Sequence, residues 1–266
     1  MSKKVKENIL KFLIYASALC TVSILVFITI YIASKGSASF NFDFIRNITP
    51  TFLNTIFIVL LTLILVIPIG LSTAIYLQEY ATHGKLTKAI TFATDCLAGI
   101  PSIILGLFGL IFFVKILNFG FSILSGCLTL CIMVLPTTIR GIEEALKTVP
   151  ITYREGSFAL GATKIQTIFK VVLPSCFPGI LVSIILATGR IVGETAALIF
   201  TAGTVLQLST SLFSSGRTLA IHMFLLVKEG LDLSEAYATA LLLLVLTLTL
   251  NAIANIISWR LNKLDY

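Results

Sequence analysis

Three ionisable side chains stand inside otherwise apolar stretches of the sequence: Asp95, Arg190 and Glu194. Charge is costly in a low-dielectric setting and is retained there for binding or for pairing. Arg190 and Glu194 are four residues apart, which on a helix puts them on one face, each offsetting the other's charge. The guanidinium also offers a planar fork of donors that suits an oxyanion. The same residues read alternatively as an internal ion pair, with Gly189 and Gly193 as a small-residue packing face. Asp95 reads either as a path-lining group or as a polar contact between helices. No paired catalytic carboxylates, metal-ligand spacing or nucleophile–histidine set accompanies them, so neither a catalytic residue nor a metal site is expected. Cys20, Cys96, Cys127, Cys131 and Cys176 lie in or beside apolar runs without a C-x-x-C and read as small buried hydrophobes.

The elements that position these residues follow from composition. Of 266 residues, 57% are hydrophobic and 12% charged, about half the charge of a soluble domain. The apolar runs are continuous rather than alternating, which points to membrane-spanning helices and not to a barrel. The expected class is an all-α membrane protein with six transmembrane helices, near 9–33, 53–77, 89–114, 119–139, 178–202 and 237–257. The first follows a lysine-rich start, but its apolar stretch exceeds the roughly 7–15 residues of a signal-peptide core, so it reads as an uncleaved span. The segment from Thr218 to Val227 is too short to cross and reads as a small interfacial or re-entrant helix; His222 within it has no evident partner.

Of the 19 lysines and arginines, alternation from a cytoplasmic N-terminus puts thirteen inside, five outside, and Arg190 within a span. That bias predicts both termini in the cytoplasm. It also explains the net charge of +7 without nucleic acid.

Gly99-Ile-Pro101-Ser102 interrupts the third span, because proline lacks a backbone donor and disfavours helix at the residue before it. A half-helix restarting near Pro101 and Ser102 would turn free amides toward an anion, as broken helices do in some transporters. A plain packing kink is the alternative, as it is for Pro68-Ile-Gly70 and Pro136.

Between the fourth and fifth spans, Thr152-Tyr-Arg-Glu155 and Thr163-Lys-Ile-Gln166 each have the pattern of a capping box. Two short helices are expected, the first ending near Gly161 and the second stopping before Pro174. Small residues at Gly156, Ser157, Ala159, Gly161 and Ala162 allow another protein to approach closely.

Glu155-Gly-Ser-x-x-x-Gly161, nine residues, then Val171-x-Leu173-Pro174 resembles the E-A-A-x-x-x-G-x9-I-x-L-P motif of binding-protein-dependent ABC importer permeases. It departs at Gly156, Ser157 and Val171. Gly189-Arg-Ile-Val-Gly193-Glu-Thr-Ala is similar to the G-R-x-x-G-E-T-A run of phosphate-specific (Pst) permeases, and Ile100-Pro-Ser-Ile-Ile-Leu-Gly106-Leu-Phe-Gly109 to a second run of that family. Length and the short N-terminal region look more like the A-type subunit.

The resemblance implies a type I ABC importer permease fold in a bacterial inner membrane. It places a cytoplasmic coupling helix at segment 150–174, with Glu155, Gly161 and Ala162 facing the ATPase. Residues 1–51 would be an N-terminal segment with the first span, 52–260 the transporter domain and 261–266 a cytoplasmic tail. Its implied partners are a second, non-identical permease, two ATP-binding subunits and an external phosphate-binding protein. No G-x-x-x-x-G-K-[ST] occurs in the chain, so ATP and magnesium would belong to the partner ATPase, with no cofactor in this chain. Arg190, Glu194, Asp95 and Ser102 would line the path. Phosphate keeps a proton at neutral pH and can donate to a carboxylate such as Glu194, whereas bare sulfate is repelled. Permeases for phosphonate or molybdate, and an ATPase-independent secondary transporter, are the competing expectations.

Overall fold

The computed structural model describes residues 3–81 and 84–262, and its regular elements are all helical. Part of the turn between spans two and three, and the end of the expected tail with Lys263, lie outside the described residues. In chain order the helices are α1 (Lys3–Ser37), α2 (Phe42–Ile75), α3 (Lys85–Ala98), α4 (Ser102–Gly109), α5 (Ile123–Lys147), α6 (Ile151–Ala159), α7 (Lys164–Thr167), α8 (Leu173–Gly193), α9 (Ala196–Ile199), α10 (Leu219–Glu229) and α11 (Leu233–Asn262). Three π-helical turns extend or join them, at Tyr76–Tyr80, Leu110–Ile116 and Ile168–Val172.

Five continuous helical stretches are long and apolar enough to cross a membrane: Glu7–Ser37, Phe42–Tyr80, Ile123–Lys147, Lys164–Gly193 and Leu233–Ile256. The sixth is the pair Lys85–Ala98 and Ser102–Ile116, bent by 105°. The expected third span is therefore a broken one. The polar stretch after the first span is also shorter than expected, because α2 already begins at Phe42 with Asp43 in its first turn, favourable at a helix N-terminus.

The central helix is α5, which packs against α2, α8, α3 and α4. Its start is capped by Ser122, whose hydroxyl accepts from the Ser125 amide at 3.2 Å. Small residues let the backbones close in: Gly141 faces Ser183, and Gly179 faces Ala145. Two apolar clusters fill the interior. One, toward the α5 N-terminus, contains Ile58, Ile123, Leu130, Met133, Ile191, Leu198 and Ile221; the other, toward its C-terminus, contains Ala74, Ile142, Leu146, Val172 and Cys176. Helix α1 lies outside both and packs along α11, with Tyr31 edge-on to Tyr237 at 5.8 Å between ring centroids.

Candidate functional site

Two chain breaks build the first part of the site. Helix α3 ends at Ala98, and Pro101, in an extended conformation (φ −59°, ψ 140°), starts α4. Helix α8 ends at Gly193, where Glu194 turns extended (φ −73°, ψ 128°), and α9 follows after Thr195. The fifth span was expected to run through to Ala202; it stops nine residues earlier. Glu194 Oε1 accepts from the Ala197 amide at 3.1 Å, so the carboxylate satisfies a free donor in the short helix that the break creates. The two restarted helices then cross. A Cβ on Gly106 would lie 2.8 Å from the Ala197 Cα and 3.3 Å from the Ala196 carbonyl oxygen, so only glycine admits this approach.

This geometry corrects one expectation. Glu194 lies outside the helix that carries Arg190, so the four-residue spacing does not put them on one face, and no ion pair joins them among the described residues. The internal-pair reading falls with it. Within this chain nothing packs on Gly189 or Gly193, since a Cβ at either position meets nothing within 4 Å. With exposed Val182 and Leu186 they form a stripe on α8 that the chain leaves open, beside half-buried Arg190. Ser102 is half-buried at the first turn of α4. Asp95 is exposed and pairs with Arg140 of α5. Around that pair, Thr91, Glu143, Glu144 and Lys147 help line a cavity of ≈ 290 Å³ at the C-terminal end of α5.

The elbow between α5 and α8 is the second part. The expected first capping box is absent: Pro150 is the N-cap of α6, so Thr152 is already within the first turn and its side chain caps nothing. Helix α6 stops before Gly161, which takes φ +81° as expected for a left-handed turn residue. The second box is present, with Gln166 N donating to Thr163 Oγ1 at 3.3 Å and Thr163 N to Gln166 Oε1 at 2.9 Å. The helix it starts does not end before Pro174. It runs on as Lys164–Gly193, because the π turn Ile168–Val172 already offsets the hydrogen-bond ladder where proline lacks its donor. Glu155 and Gly161 are exposed and Ala162 is half-buried.

Sequence reading missed how the elbow is held. Arg154 Nη2 and Nε donate to Glu79 Oε1 at 2.7 and 3.0 Å, and Lys164 Nζ sits 4.4 Å from the centre of the Tyr80 ring. These partners lie 75 and more residues apart, so no local pattern announces them.

At the opposite end, Asn54 of α2 is buried and holds the connection between α9 and α10. It donates to the Gln207 carbonyl at 2.8 Å and accepts from the Ser209 amide at 3.0 Å. The short helix expected near Thr218 is α10, outside the membrane-spanning segments. His222 on it does have partners. Its Nδ1 faces Arg217 Nη1 at 3.2 Å and its Nε2 faces Glu235 Oε1 at 3.5 Å. Burial and the Arg217 charge push its pKa below the ordinary histidine value, with Glu235 opposing them.

Residues 66–263 match the family described as "Binding-protein-dependent transport system inner membrane component". The chain is 32% identical over 254 residues to the "Probable ABC transporter permease protein YqgI" of Bacillus subtilis (strain 168), covering 87% of this chain and 86% of that one. It is 36% identical over 197 residues to the "Phosphate transport system permease protein PstA 1" of Mycobacterium tuberculosis (strain ATCC 25618 / H37Rv), covering 73% of this chain and 64% of that one. It is 29% identical over 266 residues to the "Phosphate transport system permease protein PstA" of Mycobacterium leprae, covering 94% and 87%. The fold resembles a subunit of a bacterial ABC transporter that imports alginate (TM-score 0.72, 17% identity, 97% of this chain and 99% of that one). It also resembles one of the inward-facing MetNI methionine ABC transporter (TM-score 0.64, 20% identity, 82% and 95%).

Proposed function

The chain belongs to the binding-protein-dependent transport system inner membrane component family, and from that membership we propose that it is the permease subunit through which inorganic phosphate is imported. It is a multi-pass membrane permease of an ABC importer, and relatives named for phosphate transport align with most of its length. The observation that carries the phosphate reading is the crossing of α4 on α9 at Gly106 and Ala197, which draws the two phosphate-permease-like runs into one place.

In this reading Arg190 supplies the fork that takes the anion's unprotonated oxygens. Glu194 spends one oxygen on the Ala197 amide and keeps the other to accept from the proton that phosphate carries. Ser102, at the start of α4, adds a hydroxyl donor. Asp95 sits farther along, where its pairing with Arg140 stops that cation from trapping the anion on its way out.

The excess of basic residues at the elbow end supports a cytoplasmic position for that end and for both termini. The elbow then meets a separate ATPase, present in two copies, which binds ATP and magnesium. Exposed Glu155 and Gly161, with Ile151, Tyr153, Phe158 and Leu160 exposed around them, provide a surface for it, and Ala162 keeps the turn slim. The open α8 stripe fits a second, non-identical permease across the path. An external phosphate-binding protein delivers cargo to the opposite face, and ATP-driven closure of the ATPase pair alternates access. Radiolabelled phosphate uptake into proteoliposomes holding the assembled transporter tests the reading. ATP-dependent uptake that unlabelled phosphate suppresses, and phosphonate or molybdate does not, is expected; the reverse competition overturns it.

A further inference from the structure

Helix α6 has none of its residues buried, and the adjoining Leu160 is 91% exposed. A helix with so little packing passes a displacement to the rest of the molecule only through what fastens it. Toward α8 the chain itself does so, because α7 continues into α8. Toward α2 and α5 the fastening from α6 is the Arg154 side chain, beside the short link 148–150 that joins α5 to α6 and the contact of Lys164 on Tyr80. The Arg154 guanidinium reaches Glu79 Oε1 with Nη2 and Nε at 2.7 and 3.0 Å, the Val149 carbonyl with Nη1 at 2.8 Å, and the Leu146 carbonyl with Nη2 at 3.2 Å. Glu79 lies in the π turn that ends α2, and Leu146 in the last turn of α5, where its carbonyl also accepts from the Val149 amide at 3.4 Å. The Arg154 and Glu79 side chains are 15% and 9% exposed, so water competes weakly for these bonds. A lysine carries its donors on one nitrogen and lacks the wide planar fork with which the guanidinium reaches these separated acceptors.

We propose that Arg154 and Glu79 are positioning residues that pass movement of the elbow to α2 and α5 together, so that ATP hydrolysis is converted into transport. They touch neither nucleotide nor cargo. Without the tie, the elbow still moves α8 through the continuous chain while α2 lags and α5 follows only through the short link 148–150, and ATP is consumed without a complete change of access. This rests on the reading that the elbow meets an ATPase.

The test uses the complete transporter in proteoliposomes, measuring phosphate moved and ATP hydrolysed in the same sample. Glu79→Gln keeps the shape but loses the charge, and phosphate moved per ATP is expected to fall at least about fivefold, the scale of a coupling free energy. Glu79→Asp keeps the charge and is expected to recover part of that ratio; Arg154→Lys is expected to lower it as well. A wild-type ratio in Glu79→Gln overturns the proposal. So does a proportional loss of uptake and hydrolysis in Glu79→Gln and Glu79→Asp alike, which marks a merely structural role. A wild-type complex that hydrolyses ATP but moves no phosphate overturns the phosphate reading instead. Stimulation of hydrolysis by the external binding protein, expected to be weakened in Glu79→Gln, then still decides the tie.

Discussion

Gly106 of α4 and Ala197 of α9 approach so closely that a Cβ on the glycine would stand 2.8 Å from the alanine Cα. Neither helix would exist in an uninterrupted span. The proline at 101 and the extended Glu194 end α3 and α8 early, and the chain that follows each break is free to pack on the other.

Gly106→Val is expected to push the crossing apart. Forcing methyl groups into a filled contact costs about 1–3 kcal/mol. The thermal midpoint of the purified protein in detergent is expected to fall, and uptake with it, whereas Gly156→Ala, with open space in this chain around its Cβ position, is expected to leave the thermal midpoint unchanged.

Arg190→Gln is expected to abolish phosphate uptake at normal protein level, and Arg190→Lys to retain a fraction of it, because a lone ammonium keeps the charge but not the fork. Uptake in cells, normalised to membrane-inserted protein, measures this. Undiminished uptake in Arg190→Gln removes the residue from the path.

Glu194 has two tasks that substitution separates. Glu194→Gln keeps an acceptor for the Ala197 amide but loses the charge, so the thermal midpoint is expected to hold while discrimination between phosphate and sulfate narrows. Glu194→Ala is expected to lose both. Competition by sulfate against labelled phosphate is the readout.

At the elbow, Thr163→Ala is expected to cost about 1 kcal/mol of local stability, as loss of an N-cap usually does. Thr152→Ala is expected to be neutral, since Pro150 occupies the cap of α6. Amide hydrogen exchange over residues 163–167 distinguishes the two.

His222 predicts a pH dependence. Its pKa in the folded protein is lowered, first by burial and then by Arg217. The unfolded chain therefore binds the proton more readily, and stability is lost as pH falls below about 6.5, the free histidine value. The groups facing the ring are Arg217, at the end of the α9–α10 connection, and Glu235 of α11. Thermal midpoints at pH 7.5 and 5.5 are expected to differ less in His222→Asn than in the wild type.

Spans were legible because a run of apolar residues long enough to cross has few alternatives in lipid. The break at Pro101 was legible because proline removes a donor and constrains its neighbour. The break at Glu194 was not: Gly193-Glu-Thr-Ala contains no proline, and the carboxylate that closes α9 looks in sequence like a charge on the preceding helix. The elbow was half legible. Thr163 and Gln166 are local partners, whereas Arg154 meets Glu79 only after α2 and α5 have packed. Thr152 and Glu155 have the pattern of a cap but fall two residues too late, since Pro150 is the N-cap and the helix starts at Ile151.

The unbroken helical run from Lys164 to Gly193 also sets a scale of motion. At 1.5 Å per residue the distance from Lys164 to Arg190 is about 40 Å, so a tilt of about 5° at the elbow sweeps the arginine through roughly 3–4 Å. That is comparable to the width of a small oxyanion. A lever of this length lets a modest rocking at one surface open or close a passage at the other without bending a single peptide far from its resting shape.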